Sequence, residues 1–98
     1  MTIVIISESA RADLRDITIY IARDNPERAA SFVEELIEKM QVVGERPLSF
    51  AAKNDLHSGM RSATHGRYRI VFRSDDAKVT VLRVLHGARD IRSIVSLK

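Results

Sequence analysis

The chain has 98 residues and no cysteine, and its 16 Lys/Arg against 13 Asp/Glu give a formal charge of +3. That length makes a single domain over residues 1–98, burying roughly 60–68% of its unfolded surface and needing no staples, while the missing cysteines remove a disulfide framework and any thiolate metal site. The charge is uneven: residues 1–45 hold five Lys/Arg and nine Asp/Glu, net −4, whereas residues 46–98 hold eleven and four, net +7, a basic half suited to an acidic protein segment or to nucleic acid.

The chain opens on Thr2 to Ile6, TIVII, a β-branched run that predicts a strand. It is far shorter than the ~20 apolar residues that cross a bilayer, and no charged-then-apolar leader precedes it, so the protein is expected in the cytoplasm and off the membrane. From Ser7 the period becomes helical. Ala10, Leu14, Ile17, Tyr20 and Ile21 form one face, Arg11, Asp13, Arg15 and Asp16 the other, with Ser7 as cap and Glu8 as first-turn acid. This helix should run to about Arg23. Asn25-Pro26-Glu27 then stops the chain and restarts it, since Asn caps and Pro is tolerated at the first helical position.

In the second helix Ala29, Phe32, Val33, Leu36, Ile37, Met40 and Val43 make a broad stripe opposite Glu34, Glu35, Glu38 and Lys39, and Gly44 reads as its end. The short link makes the two helices an antiparallel hairpin covering one face of a sheet. Glu45 to Gly59, with Pro47, Asn54-Asp55 and Ser58-Gly59, reads as a long surface loop that Leu48 and Phe50 tack to the core. Met60 to His65 is a third strand candidate, linked tightly through Gly66 to the strand after it. The expected fold is α+β: an N-terminal strand, a helical hairpin, and an antiparallel sheet completed by three C-terminal strands.

The last two strands are the stretch GRYRIVFRSDDAKVTVLRVLHGARD, residues 66–90. Tyr68, Ile70 and Phe72 alternate with Arg67, Arg69 and Arg73, the period of a half-buried strand, and Lys78 to His86 is apolar on both parities, as in an interior strand. With Asp75-Asp76 at the tip, paired positions sum to 151, so Phe72 faces Val79 and Ile70 faces Val81. In that register Ile70, Phe72, Val79, Val81 and Leu85, with Tyr68 and Arg83, face the helices. Arg67, Arg69, Val71, Arg73, Thr80, Leu82, Val84 and His86 form an open strip, apolar but edged by arginine, that is expected to bind a partner. His86 then lies about 13 Å along the strand from Arg69, at ~3.3 Å per residue.

Catalytic and metal signals are few. His57, His65 and His86 stand apart with no His-x-x-x-His pair, so no metal is expected; no Gly-rich phosphate loop, Gly-x-Ser-x-Gly or Ser-His-Asp pattern occurs, and no cofactor is expected. Arg69 inside a strand can present forked donors to phosphate or carboxylate, and His86 at a strand end can present an imidazole; either is equally at home in a structural contact. Arg89 and Asp90 can pair locally, ahead of a short apolar tail with Ile91, Ile94, Val95 and Leu97.

Taken together, the helical pair SESARADLRDITIYIARDNPERAASFVEELIEKM, the block GMRSATHGRYRIVFR and above all VLRVLHGARD resemble the RelE/ParE superfamily of type II toxin-antitoxin toxins, most of all its ParE branch. The resemblance implies a helical hairpin on an antiparallel sheet, neutralised by a ParD-like antitoxin that folds a segment across it. ParE-type toxins act on DNA gyrase by binding, so the toxin would meet nucleic acid only through its antitoxin or target, whereas RelE-type relatives cut messenger RNA on the ribosome. In a nuclease, Arg69 matches the arginine of the family's Tyr-Arg strand motif, and His86 with Arg89 matches its C-terminal catalytic region. No tyrosine follows Arg89, however, and the loop before Met60 offers Lys53 alone, departures that place gyrase inhibition ahead of RNA cleavage. A domain that binds antitoxin without retaining toxicity is the third reading. The expected partner-binding residues are Arg67, Arg69, Val71, Arg73, Leu82, Val84, His86, Arg89, Ile91 and Ile94.

Overall fold

The computed structural model describes residues 3–50, 59–75 and 77–87. Strand β1 (Ile3–Ile6) leads into helices α1 (Glu8–Ala22) and α2 (Pro26–Glu45); a short 3-10 turn (Pro47–Ser49) follows, then strands β2 (Met60–His65), β3 (Tyr68–Asp75) and β4 (Lys78–His86). They form one four-stranded sheet in the order β1-β4-β3-β2. The α+β order expected from the sequence is the one observed, and β4 is interior as its two-sided hydrophobicity implies. One pairing departs from an all-antiparallel sheet, because β1 runs parallel to β4. Both helices and strands β2 and β3 lie between those two strands in the chain, a connection long enough to permit parallel pairing.

Ser7 sets the first corner by bonding three ways. Its backbone N–H donates to Val81 O (3.0 Å), its hydroxyl donates to Leu82 O (2.9 Å), and its Oγ accepts from Ala10 N (3.1 Å) as the helix cap. Asn25 caps α2 in the same manner, its Oδ1 accepting from Arg28 N at 3.0 Å, with Pro26 opening the helix.

The helix stripe is largely as read: Ala29, Phe32, Leu36, Met40 and Val43 are buried, as are Ala10 and Ile17 on α1. Tyr20, assigned to the apolar face of α1, is 59% exposed, and Ile37 also stands at the surface. Asp13, assigned to the outer face, turns inward to β4. Gly44 is not the end of α2 but a buried residue within it, where a Cβ would collide with the Val4 side chain. Leu48 is exposed and does not tack the loop down, whereas Phe50 does, edge-on to Phe72 with ring centroids 6.1 Å apart. The rest of that loop, residues 51–58, lies outside the described residues.

The turn between β2 and β3 is Gly66-Arg67, with His65 paired to Tyr68. Gly66 has φ +59° and among the described residues only glycines take a positive φ, which fits a type II′ turn with Gly at its first central position. At the β3–β4 hairpin the register differs from expectation. Asp75 pairs with Lys78 and Phe72 with Val81, so the tip lies one residue later than Asp75-Asp76 and paired positions sum to 153. A bulge between Phe72 and Val71 then shifts the ladder again, pairing Val71 with Arg83, Ile70 with Val84, Arg69 with Leu85 and Tyr68 with His86. One inserted residue reverses which side chains of β4 face the helices beyond that point.

Candidate functional site

The bulge decides which groups can act together. On the helix-facing side Val84 joins Ile70, Val81, Leu36 and Phe32 in the main core, with Tyr68 packed against them. On the other side Leu85 joins Met60 and Val71, flanked by Leu82. Val84 and Leu85 have therefore exchanged the faces assigned to them from sequence. Val71 is fully buried, and Met60 and Leu85 are 2% exposed, so this face is no open apolar strip either.

Arg69 lies on the face away from the helices, where its Nη2 donates to Ser62 Oγ at 3.1 Å. His86 lies on the helix side, its ring edge-on to Tyr68 with centroids 5.4 Å apart. The 13 Å separation inferred from sequence is thus replaced by a different obstacle: the two residues sit in adjacent rungs of the ladder but on opposite faces of the sheet. Arg73 is exposed on the Arg69 face, and Arg67 is exposed in the turn. Arg89, Ile91 and Ile94 lie outside the described residues.

His86 ends a row of rings on the helix side. Tyr68 meets Phe32 at 5.6 Å, and Phe32 meets His65 at 5.4 Å. His65 Nε2 contacts Glu35 Oε1 at 2.8 Å, and Glu35 also takes a two-pronged bond from Arg28, at 2.6 and 3.3 Å. The Arg28 guanidinium lies 5.1 Å above the Phe32 ring. Hydrogen bonds from Arg28, then from His65, hold the Glu35 carboxyl down to about 2. This network staples α2 to the β2–β3 turn.

A second polar contact escaped the sequence reading. Asp13 accepts from Arg83 Nε (2.8 Å) and Nη2 (3.0 Å) and from the Val84 backbone N–H (2.9 Å). Both partners are mostly buried, their side chains 13% and 23% exposed. The available signal was an aspartate at the fourth position from Ile17, on the edge of the apolar stripe, with an arginine inside an otherwise apolar strand. Beside this pair, α1 and the far end of β4 enclose a cleft whose rim carries Asp16, Tyr20 and Arg23.

Chemically, the face carrying Arg69 offers cations and hydroxyls, while both described histidines face the helices and contact neighbours there. General acid-base catalysis needs proton donor and acceptor within reach of one substrate, an arrangement that Arg69 and His86 do not make. Among the described residues no group of three or more His, Cys, Asp or Glu side chains could hold a metal, and no helix is long and apolar enough to cross a membrane.

Residues 4–91 match the family model described as ParE toxin of the type II toxin-antitoxin system parDE. The chain belongs to the ParE toxin family. Among solved structures, the chromosomal ParDE toxin-antitoxin system from P. aeruginosa superposes on this ParE-family chain with a TM-score of 0.76 at 22% identity, covering 89% of this chain and 97% of that one. The toxin-antitoxin complex RelBE2 from Mycobacterium tuberculosis gives 0.61 at 28% identity, covering 87% and 96%. No curated protein sequence matches this ParE-family chain. The matches cover almost the whole length on both sides, so this ParE-family domain shares the fold of the matched chains in those two structures.

Proposed function

We propose that this ParE-family toxin inhibits DNA gyrase by binding rather than by catalysis, and that a ParD-like antitoxin neutralises it. The observation that carries the reading is the placement of Arg69 and His86 on opposite faces of the sheet. A ribonuclease must converge a proton acceptor, a proton donor and a cation on one phosphate, whereas a binding inhibitor needs only a shaped, charged surface. The antitoxin would meet the exposed cations Arg67 and Arg73, with Arg69, Leu82 and the tail residues Arg89, Ile91 and Ile94, through a segment carrying acidic and apolar side chains. The net charge of +7 over residues 46–98 favours such a segment and makes its association slow as salt rises. Its binding should raise the melting temperature by mass action.

The test is a supercoiling assay with toxin freed of antitoxin, run beside a ribosome assay on messenger RNA. Loss of supercoiling with intact message is expected, and Arg69→Ala should not create or abolish any cleavage. The RelBE2 likeness and the Tyr68-Arg69 dipeptide favour a second reading, a ribosome-dependent endoribonuclease. Codon-aligned cuts abolished by Arg69→Ala, alongside unimpaired supercoiling, would establish it in place of the first.

A further inference from the structure

We infer that the outer edge of β1 is a self-association site, at which two copies of this chain pair their β1 strands antiparallel about a two-fold axis through Ile5. Each copy's sheet would continue into the other's, giving eight strands with the two β1 strands at the centre.

The backbone directs this pairing. Ile3 N–H donates to Ala77 O at 3.1 Å and Ser7 N–H to Val81 O at 3.0 Å, so the odd-numbered residues of this segment turn their main-chain groups toward β4. Val4 and Ile6 therefore turn theirs outward. Among the described residues the one group that meets them is Arg11, whose Nε donates to Ile6 O at 3.2 Å. A carbonyl has two lone pairs, so Ile6 O can accept from Arg11 and from an incoming strand together.

No side chain of the strand itself guards the edge. Sheet edges are ordinarily guarded by lysine, proline, a bulge or an inward charge. The four residues Ile3–Ile6 include none of these and are all β-branched, and Ile3 and Ile5 are 62% and 41% exposed on the face opposite the helices. An uncharged β-branched strand suits the exposed Ile3 and Ile5, and this chain carries one that can pair with its own copy. With Ile5 opposite Ile5 as a non-hydrogen-bonded pair, Val4 of each copy exchanges both main-chain bonds with Ile6 of the other. The Ile5 side chains then meet across the axis, and each Ile3 lies diagonally beside the other copy's Ile5. Arg11 and Lys78 flank the strand and repel their counterparts, which favours association at higher ionic strength. Four residues bury well under the ~1,200 Å² of a standard interface, so the dimer is a weak, reversible one.

Because residue 5 faces its own copy, charge reversal tests the model directly. Ile5→Lys and Ile5→Glu place like charges across the axis, and each should weaken dimerisation at least about tenfold in sedimentation equilibrium. An equimolar mixture of the two variants should restore association as a heterodimer. In the unmodified chain the Val4 and Ile6 amides should gain protection from hydrogen exchange as concentration rises, a readout that needs no variant. A wild-type chain monomeric to high-micromolar concentration would overturn the inference. So would a dimer indifferent to both variants, or folded variants whose mixture stays monomeric.

Discussion

The two halves of β4 are held in different ways. From Lys78 to Val81 the strand has a backbone ladder on each side, β1 on one and β3 on the other. Beyond Val81, β1 has ended, and α1 takes its place with side chains: the Ser7 hydroxyl reaches Leu82 O and the Asp13 carboxylate takes the Val84 N–H. A main-chain ladder depends little on which residues compose it. The side-chain substitute depends on two particular residues, and the bulge falls where one regime gives way to the other. His86, at the end of the strand, lies in the half that single mutations can loosen.

Leu36→Ala should break both halves alike, because Leu36 is fully buried in the cluster that holds Val81 from one half and Val84 from the other. Its cost should be about 2–5 kcal/mol in a denaturant titration, with m unchanged. Asp13→Ala should sharpen the contrast. It takes the two-pronged carboxylate partner from the mostly buried Arg83 and removes the acceptor of Val84 N–H, for a loss of about 1–3 kcal/mol. Hydrogen exchange should accelerate at Val84 before Val79 or Val81. Asp13→Asn retains an oxygen for that N–H and should keep Val84 protected while losing the two-pronged bond from Arg83.

A smaller effect belongs to acid. The Glu35 carboxyl is held below its ordinary 4.5, at about 2. A depressed carboxylate contributes stability above its unfolded value and loses it as protons bind, so this contribution is intact above about pH 4.5 and fades toward pH 2. The β2–β3 turn that Glu35 anchors through His65 lies beside the end of β4, so the side-chain-held half should loosen first. Melting temperatures across that window should fall less steeply for Glu35→Gln than for the unmodified chain. Smallest of all, Glu34→Ala on the exposed face should change stability by under about 0.5 kcal/mol.

The order of elements was legible because Phe32, Leu36, Met40 and Val43 mark a helix face with little ambiguity, and because Ser7, Asn25-Pro26 and Gly66 punctuate the chain where it turns. The hairpin register was harder. Its second strand is apolar on both parities, so a slip costs no visible hydrophobicity, and the bulge removes the two-residue period that would have exposed the error. A trace remains in the sequence: Val79 and Val81 set an odd phase that Val84 and His86 continue on even numbers. The candidate site suffered most, since its pairing of Arg69 with Val84 and His86 on one face rested on that register. Asp13 was missed for another reason. Helical periodicity sorts residues by polarity, and a carboxylate that turns inward to meet a strand's free N–H is counted with the solvent-facing side.

Gly44 carries a genetic consequence. Its missing side chain is the space into which Val4 fits, so the seat of α2 on β1 is divided between two residues forty positions apart in the chain. Gly44→Ala should thrust the helix outward and destabilise the domain by about 1–3 kcal/mol, and under the toxin function proposed above it should weaken growth arrest without touching any partner. Val4→Ala, alone a modest loss of packing, should then act as an intragenic suppressor that restores arrest. Survivors of toxin expression would accordingly include changes at position 44, and revertants selected from them should accumulate smaller residues at position 4. Val4→Ala failing to raise the melting temperature of the Gly44→Ala protein would show that the two positions are not one steric unit.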